Sequence, residues 1–583
     1  MIKIENLSYS FKDKDLYKNI SFTLEDDKHC AFIGTNGSGK STLIDMIMNP
    51  DEYLFDGTIE KSENCRIGYV RQFAEDDKAR KITVFDYICE EYIRLQNEIT
   101  AICEEMGTAE DIEPLMEKYQ EALDAVDSIG GDDFENNVNK KLNLAGLNNF
   151  KDTLISELSG GEFKLVQVIK GMLNKPDLII MDEPDVFLDF DNLDSLKNLI
   201  NSHQGTMLVI THNRYLLNNC FDKIIHLENM EIQEFDGSYI DYNFKLLQTK
   251  VELQELADAD TAEIERNEKL IELYRKKAEI NTERARGNTL QARVKIKERL
   301  EARRIKAPFL AIKEPYINLN TSNQLAAECT ALKVTDYSVA FDDTLLEDVN
   351  FELKSTDKAA IVGPNGTGKT TLLNDIFDNN NPSIEVNEDI KMALLSQLKL
   401  KTMNEENTIR EEFIEAGFMN SEEIMDHISD YGFENEEILQ QTIKSLSGGE
   451  KNMLQLAKIS ASNANLLLLD EPTSHLDTYS QISLEKAIKA YNGAVLMVSH
   501  DFYSIANCMD YVLIVEDKNI RRMNLKKFKK MVYENHFGKD YLEIEQNKKH
   551  VETQIELALK DNDFVTAKEL CEELAKLVKA LQA

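Results

Sequence analysis

The stretch Gly34-Thr35-Asn36-Gly37-Ser38-Gly39-Lys40-Ser41-Thr42 returns later in the chain as Gly363-Pro364-Asn365-Gly366-Thr367-Gly368-Lys369-Thr370-Thr371. Both copies fit G-x-x-x-x-G-K-[ST]. Each follows an apolar run (Cys30 to Ile33; Ala359 to Val362) and opens a helical pattern (Leu43 to Met48; Leu372 to Phe377). A strand, a glycine-rich turn and a helix in that order form an anion cradle. The glycines let successive backbone N–H groups turn inward, and the helix N-terminus adds partial positive charge. Lys40 and Lys369 are placed to reach the β- and γ-phosphates of a nucleotide. The Ser41 and Thr370 hydroxyls are placed to bind Mg²⁺.

Four further segments recur in the same order. Ile67-Gly68-Tyr69-Val70-Arg71-Gln72 is a short strand ending in glutamine, matched by Lys391 to Gln397. Leu158-Ser159-Gly160-Gly161-Glu162 recurs as Leu446-Ser447-Gly448-Gly449-Glu450, a second exposed helix start suited to anions. Apolar strands then end in Asp182-Glu183-Pro184 and Asp470-Glu471-Pro472. The first carboxylate of each pair suits a Mg²⁺ shell, and the second can polarise a water for attack on the γ-phosphate. Finally, strands end in His212 and His500, each at the same distance beyond its glutamate. Upstream of each P-loop an aromatic, Phe11 or Phe341, either stacks on an adenine ring or packs as a core side chain at a strand end. The residues leave both open.

These five motifs, in order and twice, resemble a tandem ABC ATPase. The resemblance implies two nucleotide-binding domains facing head to tail, with each ATP between one domain's P-loop and the other's signature. Lys40, Glu183 and His212 would share one ATP with Ser447 and Gly449. Lys369, Glu471 and His500 would share the other with Ser159 and Gly161. The remaining P-loop positions (Gly34, Asn36, Gly37, Gly39, Thr42; Gly363, Asn365, Gly366, Gly368, Thr371) would hold ATP. Gln72 and Gln397 would join Ser41, Asp182, Thr370 and Asp470 around Mg²⁺. The implied form is a monomer with an intramolecular ATPase sandwich.

Composition narrows the setting. The chain has 583 residues and a net charge of −38, which argues against a generally basic nucleic-acid coat. Its eight cysteines show no C-x-x-C spacing, against zinc or iron–sulfur sites. No signal-peptide core opens the chain, and no apolar run approaches the roughly 18 residues of a membrane helix. The expectation is a cytoplasmic protein without a membrane partner.

The offsets between copies locate what the repeats do not share. Gln72 to Gln397 is 325 residues, whereas Leu158 to Leu446, Glu183 to Glu471 and His212 to His500 are each 288. The first copy therefore carries 37 extra residues (325 − 288) between glutamine and signature. The pattern there predicts a helix over Glu90 to Met106, a break at Gly107 and a helix over Pro114 to Val126. Fourteen acidic residues lie between Glu90 and Asp133, against Arg94 and Lys118. Such a hairpin either docks on a basic protein or stands solvated. Between the copies, a helix is expected over Tyr242 to Arg284, a break at Gly287-Asn288, and a second helix over Leu290 to Ile305, ended by Pro308. From Arg275 to Lys306 there are 12 Lys/Arg and four Glu, a local +8 in a −38 protein. A solvated coiled coil mixes signs evenly. Segregated basic charge at a hairpin tip is the footprint of phosphate contact.

Two ATPase domains without a membrane span, joined by a charged helical hairpin, resemble the ABC-F family of translation factors and antibiotic-resistance proteins. The fold class expected is α/β: two tandem P-loop ATPase domains (1–238 and 328–535), a helical linker hairpin (239–327), a helical arm insertion (about 90–135) and a helical C-terminal extension (536–583). The resemblance implies a 70S ribosome partner, with entry through the E site. Arg284, Arg286, Asn288, Arg293, Lys295 and Lys297 of the linker would contact 23S rRNA or P-site tRNA. The arm would meet ribosomal proteins near the L1 stalk. Protection of the ribosome from drugs at the peptidyl-transferase centre is favoured by the moderately long linker. A housekeeping translation factor, and the ATPase subunit of a transporter with separate membrane chains, are the alternatives. The two copies are unequal: Asp185 and Phe187 stand where the second has Thr473 and His475. A charge at Asp185 is expected to raise the pKa of Glu183, making the Lys40–Glu183 site the slower one.

Overall fold

The computed structural model describes residues 2–11, 14–62, 65–72, 75–108, 112–278, 315–319, 321, 329–341, 343–396, 403–433, 435–536 and 541–582. The chain divides into two compact units. The first comprises Met1–Leu227, Ile232–Glu234 and Glu314–Met531; the second comprises Glu228–Glu231, Phe235–Lys313 and Val532–Ala583.

The first unit holds both sequence repeats, and each builds the same pair of sheets. In the first repeat the central sheet runs in the order Ile67–Val70, Leu178–Asp182, Thr206–Ile210, His29–Ile33, Lys223–Glu228, Glu231–Asp236. In the second it runs Met392–Leu395, Leu466–Asp470, Ala494–Val498, Lys358–Val362, Tyr511–Glu516, Asn519–Asn524. The strands through Lys223–Glu228 and Tyr511–Glu516 pair in parallel. The strands Leu178–Asp182 and Leu466–Asp470 are buried at every position. Parallel strands covered on both faces read as unbroken apolar runs, which is what these segments are. Each P-loop strand lies inside its sheet between strands reached by separate crossovers. The glycine-rich turn therefore opens at the carboxyl end of the sheet, where α/β proteins bind ligands.

A three-stranded antiparallel sheet accompanies each central sheet. Read from the sequence, residues 1–29 form short strands with a turn at Asp13-Lys14-Asp15. Instead, two long strands, Ile2–Phe11 and Lys14–Leu24, pair antiparallel, with Lys14 opposite Phe11 and Asp15 opposite Ser10. Their register shifts at several points, with Asn6 and Asn19 in left-handed backbone. Such bulges interrupt the period-2 pattern that marks a long strand in sequence.

The arm forms two helices, Glu90–Met106 and Glu113–Ile129, closed over Ile102, Leu115 and Ala122. Its base is tied down electrostatically. Glu90 accepts hydrogen bonds from Arg80 and from Lys170 (2.7 Å), which hold its carboxyl down at about 2.

In the second unit the helix Tyr239–Ala278 is the described part of the linker. It packs with the C-terminal helices Tyr541–Lys560 and Phe564–Gln582 through Ile240, Val251, Val551, Ile555, Leu574 and Val578. The C-terminal pair thus covers the apolar face of the linker's first turns. The expected linker break and second helix, 287–305, lie outside the described residues, as do Arg284, Arg286, Asn288, Arg293, Lys295 and Lys297.

One buried charge cluster joins the two repeats. The Arg214 guanidinium pairs with Glu485 and with Asp501 (3.0 Å) and lies over the Tyr503 ring at 4.9 Å. Glu485 also accepts from Ser504 Oγ (3.0 Å) and Asn507 Nδ2 (2.6 Å). Removing one member of a buried pair leaves a desolvated charge behind, at a cost of roughly 3–5 kcal/mol. Arg214→Met is therefore expected to lower the denaturation midpoint in urea markedly; an unchanged midpoint would show that water already reaches the cluster.

Candidate nucleotide-binding sites

Each P-loop is set by its own glycines. Gly39 (φ 101°) and Gly368 (φ 89°) precede the helices Lys40–Met48 and Lys369–Asp378 in left-handed backbone. The lysines turn back onto their loops. Lys40 Nζ donates to the carbonyls of Gly34 (2.9 Å) and Thr35 (3.0 Å), and Lys369 Nζ to those of Gly363 (2.8 Å) and Pro364 (2.6 Å). Both lysines are buried, 7% and 6% exposed, beside glycine-rich turns that open helices, a setting suited to phosphate.

The two repeats meet head to tail across these loops. The Asn36 N–H donates to Asp477 Oδ2 (3.0 Å), and its side-chain amide to the His475 carbonyl (2.7 Å). The mirror contacts are Asn365 N–H to Asp189 Oδ2 (3.0 Å) and Asn365 Nδ2 to the Phe187 carbonyl (2.9 Å). Asp189 and Asp477 were not among the sequence candidates, although they recur at the offset of 288 shared by the glutamates (477 − 189). Ser159 and Ser447 cap the helices Gly160–Leu173 and Gly448–Ala461 with reciprocal glutamate bonds. A Cβ on Gly449 would strike the Asn36 side chain, so this signature lies against the first P-loop. A cavity of about 480 Å³ is lined by Ser159, Gly161, Lys369, Thr370, Glu471 and His500 among others. It is composite, with one repeat's signature and the other's P-loop on its walls.

The carboxylates sit in different surroundings. Thr370 Oγ1 donates to Asp470 Oδ1 (3.2 Å), and Ser41 hydrogen-bonds Asp182. Burial, then the Glu183 charge, pushes the Asp182 carboxyl up to about 6. A hydroxyl beside an acidic oxygen in each site is a hard-oxygen donor set that fits Mg²⁺. Glu471, its side chain 17% exposed, is pushed up to about 8 by desolvation and by the neighbouring Asp470 carboxylate; its Oε2 accepts from the His500 N–H (3.3 Å). Burial also pushes Glu183 up, but the hydrogen bond from His475 and the positive charges nearby overcome it and leave it below the ordinary carboxylate range. Glu183 Oε2 accepts from Gln72 Nε2 and lies 3.3 Å from His475 Nδ1. His212 and His500 are both pushed down to about 4, by desolvation and by the Lys40 and Lys369 charges respectively. Gln397 and the Phe11 side chain lie outside the described residues, and Phe341 is 72% exposed.

The expectation that Asp185 raises Glu183 is corrected. Asp185 is itself the group pushed up, to about 6, by burial, while Thr211 Oγ1 donates to it at 2.6 Å. A carboxyl whose pKa is higher folded than unfolded binds its proton more tightly in the native state. Its contribution to stability is full below pH 4 and is lost as pH rises through about 6. Asp185→Asn keeps an acceptor for Thr211. It is expected to raise stability by on the order of 2 kcal/mol at pH 8 and to change nothing at pH 4, read as the difference in urea midpoint at the two pH values.

This geometry has relatives. The family described as ABC transporter matches residues 17–186 and 346–474. The uncharacterized ABC transporter ATP-binding protein YfmM of Bacillus subtilis (strain 168) is 29% identical over 521 residues, 86% of this chain and 96% of that protein. ABC transporter F family member 5 of Arabidopsis thaliana is 26% identical, over 88% of this chain and 75% of that protein. Among solved structures, the archaeal ribosome recycling factor aABCE1, in complex with the ribosomal stalk protein aP1, superposes with a TM-score of 0.56 at 16% identity. The match covers 91% of this chain and 92% of that one, and it shows the fold. With matched segments spanning more than half of its length and both P-loops inside them, the chain belongs to the ABC transporter family of ATPases.

Proposed function

We propose that this ATPase is an ABC-F protein that binds the ribosome under control of ATP, enters the E site and acts on P-site tRNA and the peptidyl-transferase centre to protect it from antibiotics. The observation that carries this reading is the charge reversal in the linker. Twelve Lys/Arg against four Glu between residues 275 and 306 stand in a chain of net charge −38. Cationic charge concentrated in one short segment of an acidic chain is matched to a phosphate backbone. The F-family name of one relative, matched over 88% of this chain, and the ribosomal partner named for the solved aABCE1 structure, support the same direction. Among the described residues no helix is long and apolar enough to cross a membrane.

In this reading ATP occupies both composite sites. Lys40 and Lys369 leave their own carbonyls for the β- and γ-phosphates, and the signature residues Ser159 and Ser447 close over them. Ser41, Gln72 and Asp182 hold Mg²⁺ in one site; Thr370, Gln397 and Asp470 hold it in the other. When bound, Mg²⁺ neutralises charge developing between the β- and γ-phosphates. Glu183 and Glu471 polarise the attacking water, and His212 and His500 face the γ-phosphate. Phe341 is open to stack on adenine, with Phe11 its counterpart. ATP binding draws the repeats together and presents the linker; hydrolysis releases the factor.

Glu183→Gln/Glu471→Gln is expected to retain ATP and co-sediment with 70S ribosomes in a sucrose gradient of cell lysate. ATP-bound protein left at the top of the gradient would overturn the ribosome reading. Charge reversal at Arg284, Arg286 and Arg293 should abolish that co-sedimentation while ATPase activity without ribosomes stays at the wild-type level. A matching loss of basal ATPase would place those residues in the fold of the ATPase rather than on RNA.

A further inference from the structure

The two loops that follow the catalytic glutamates dock on the opposite P-loops with the same main-chain geometry and different side chains. Both turns are strained alike: Glu183 and Glu471 (φ 44° and 46°) and Phe187 and His475 (φ 69° and 61°) are in left-handed backbone. Left-handed bulky residues persist where the surroundings over-determine them, and they gather at functional sites. The asparagine of each P-loop grips the carbonyl of the residue in question, Asn36 that of His475 and Asn365 that of Phe187. With the backbones matched, what each loop delivers to the opposite site is its side chain.

One delivery is polar and the other is not. His475 Nδ1 reaches 3.3 Å from Glu183 Oε2 and 3.4 Å from Gln72 Nε2, so Glu183 is held from its own repeat by Gln72 and from the other by His475. The mirror residue Phe187 carries a phenyl ring, which has no hydrogen-bonding atom for Glu471 and packs edge-on against His475 (centroids 6.2 Å apart, 78°). Glu471 instead takes its contacts from His500 of its own repeat: the backbone N–H at 3.3 Å and the ring Nε2 at 3.6 Å from Oε1.

We infer that His475 is a positioning residue for Glu183, acting across the interface, and that Phe187 withholds the same contact from Glu471, so that the Lys40–Glu183 site turns over faster and only when the repeats are docked. This rests on the reading of Glu183 and Glu471 as the carboxylates of hydrolysis. It reverses the expectation drawn from Asp185 and makes the docking of one loop a condition of catalysis at one site. A carboxylate held from two sides has fewer orientations to lose on the way to the transition state, and loss of such alignment acts on kcat rather than on KM.

The test is steady-state ATPase activity of the full-length protein. His475→Phe, which makes the loops alike, is expected to lower kcat roughly tenfold with KM for ATP unchanged. His475→Gln, whose amide can still donate to Glu183, is expected to restore most of the rate. Phe187→His, which supplies the missing contact, is expected to raise kcat. That third variant decides the matter if His475→Phe fails to fold. Wild-type kcat in His475→Phe, equal losses in His475→Phe and His475→Gln, or no gain in folded Phe187→His would overturn the inference. Glu183→Gln/Glu471→Gln, assayed alongside, separates the two levels: hydrolysis surviving in that double variant would overturn the carboxylate assignment itself.

Discussion

The reciprocal hydrogen bonds between each P-loop asparagine and the aspartate of the opposite repeat, Asn36 to Asp477 and Asn365 to Asp189, are the constraint on which the rest of the first unit depends. A backbone N–H donating to a carboxylate is a charge-assisted bond, stronger than a neutral pair. Here it fixes two things at once. It sets the loop that will surround the phosphates, and it sets the distance at which the opposite signature faces that loop. The composite cavity follows, because its walls come from segments of both repeats. The buried cluster around Arg214 holds the same two repeats at a second point, so that the interface is defined by more than one contact.

Within that frame the two sites diverge by single side chains. Matched backbones are free to differ in the side chains they carry. This chain has used the freedom around the first glutamate, with Asp185 buried against Thr211 and Phe187 edge-on to His475. Two sites built on matched backbones are thereby given different electrostatic surroundings without a change in fold. The Arg214 cluster is one-sided as well, since the position matching Arg214 at the offset of 288 is Phe502 (214 + 288).

Much of this was readable in the chain itself. The P-loops, the carboxylate pairs and the histidines were legible because phosphate chemistry demands particular residue types at fixed places on a strand–turn–helix. The arm was legible from the unequal offsets: its helices, Glu90–Met106 and Glu113–Ile129, begin and end within a few residues of the pattern. The opening hairpin was not, because bulges break the alternation that periodicity relies on. The surroundings of Glu183 were illegible for another reason. Asp185 is two residues away and drew attention, whereas the group that governs Glu183 is His475, 292 residues distant in sequence. Pattern reading weighs neighbours in the chain, and electrostatics weighs neighbours in space.

The linker helix Tyr239–Ala278 has a mechanical consequence of its own. Its 40 residues rise about 60 Å at 1.5 Å per residue. A tilt of about ten degrees at the Tyr239 end would carry the Ala278 end through roughly 10 Å, several times the motion that produced it. The C-terminal helices grip this rod near its root, at Ile240 and Val251, as a bearing grips a shaft. A rod of this length held near one end would turn any small rearrangement at its root into a larger displacement at its far end.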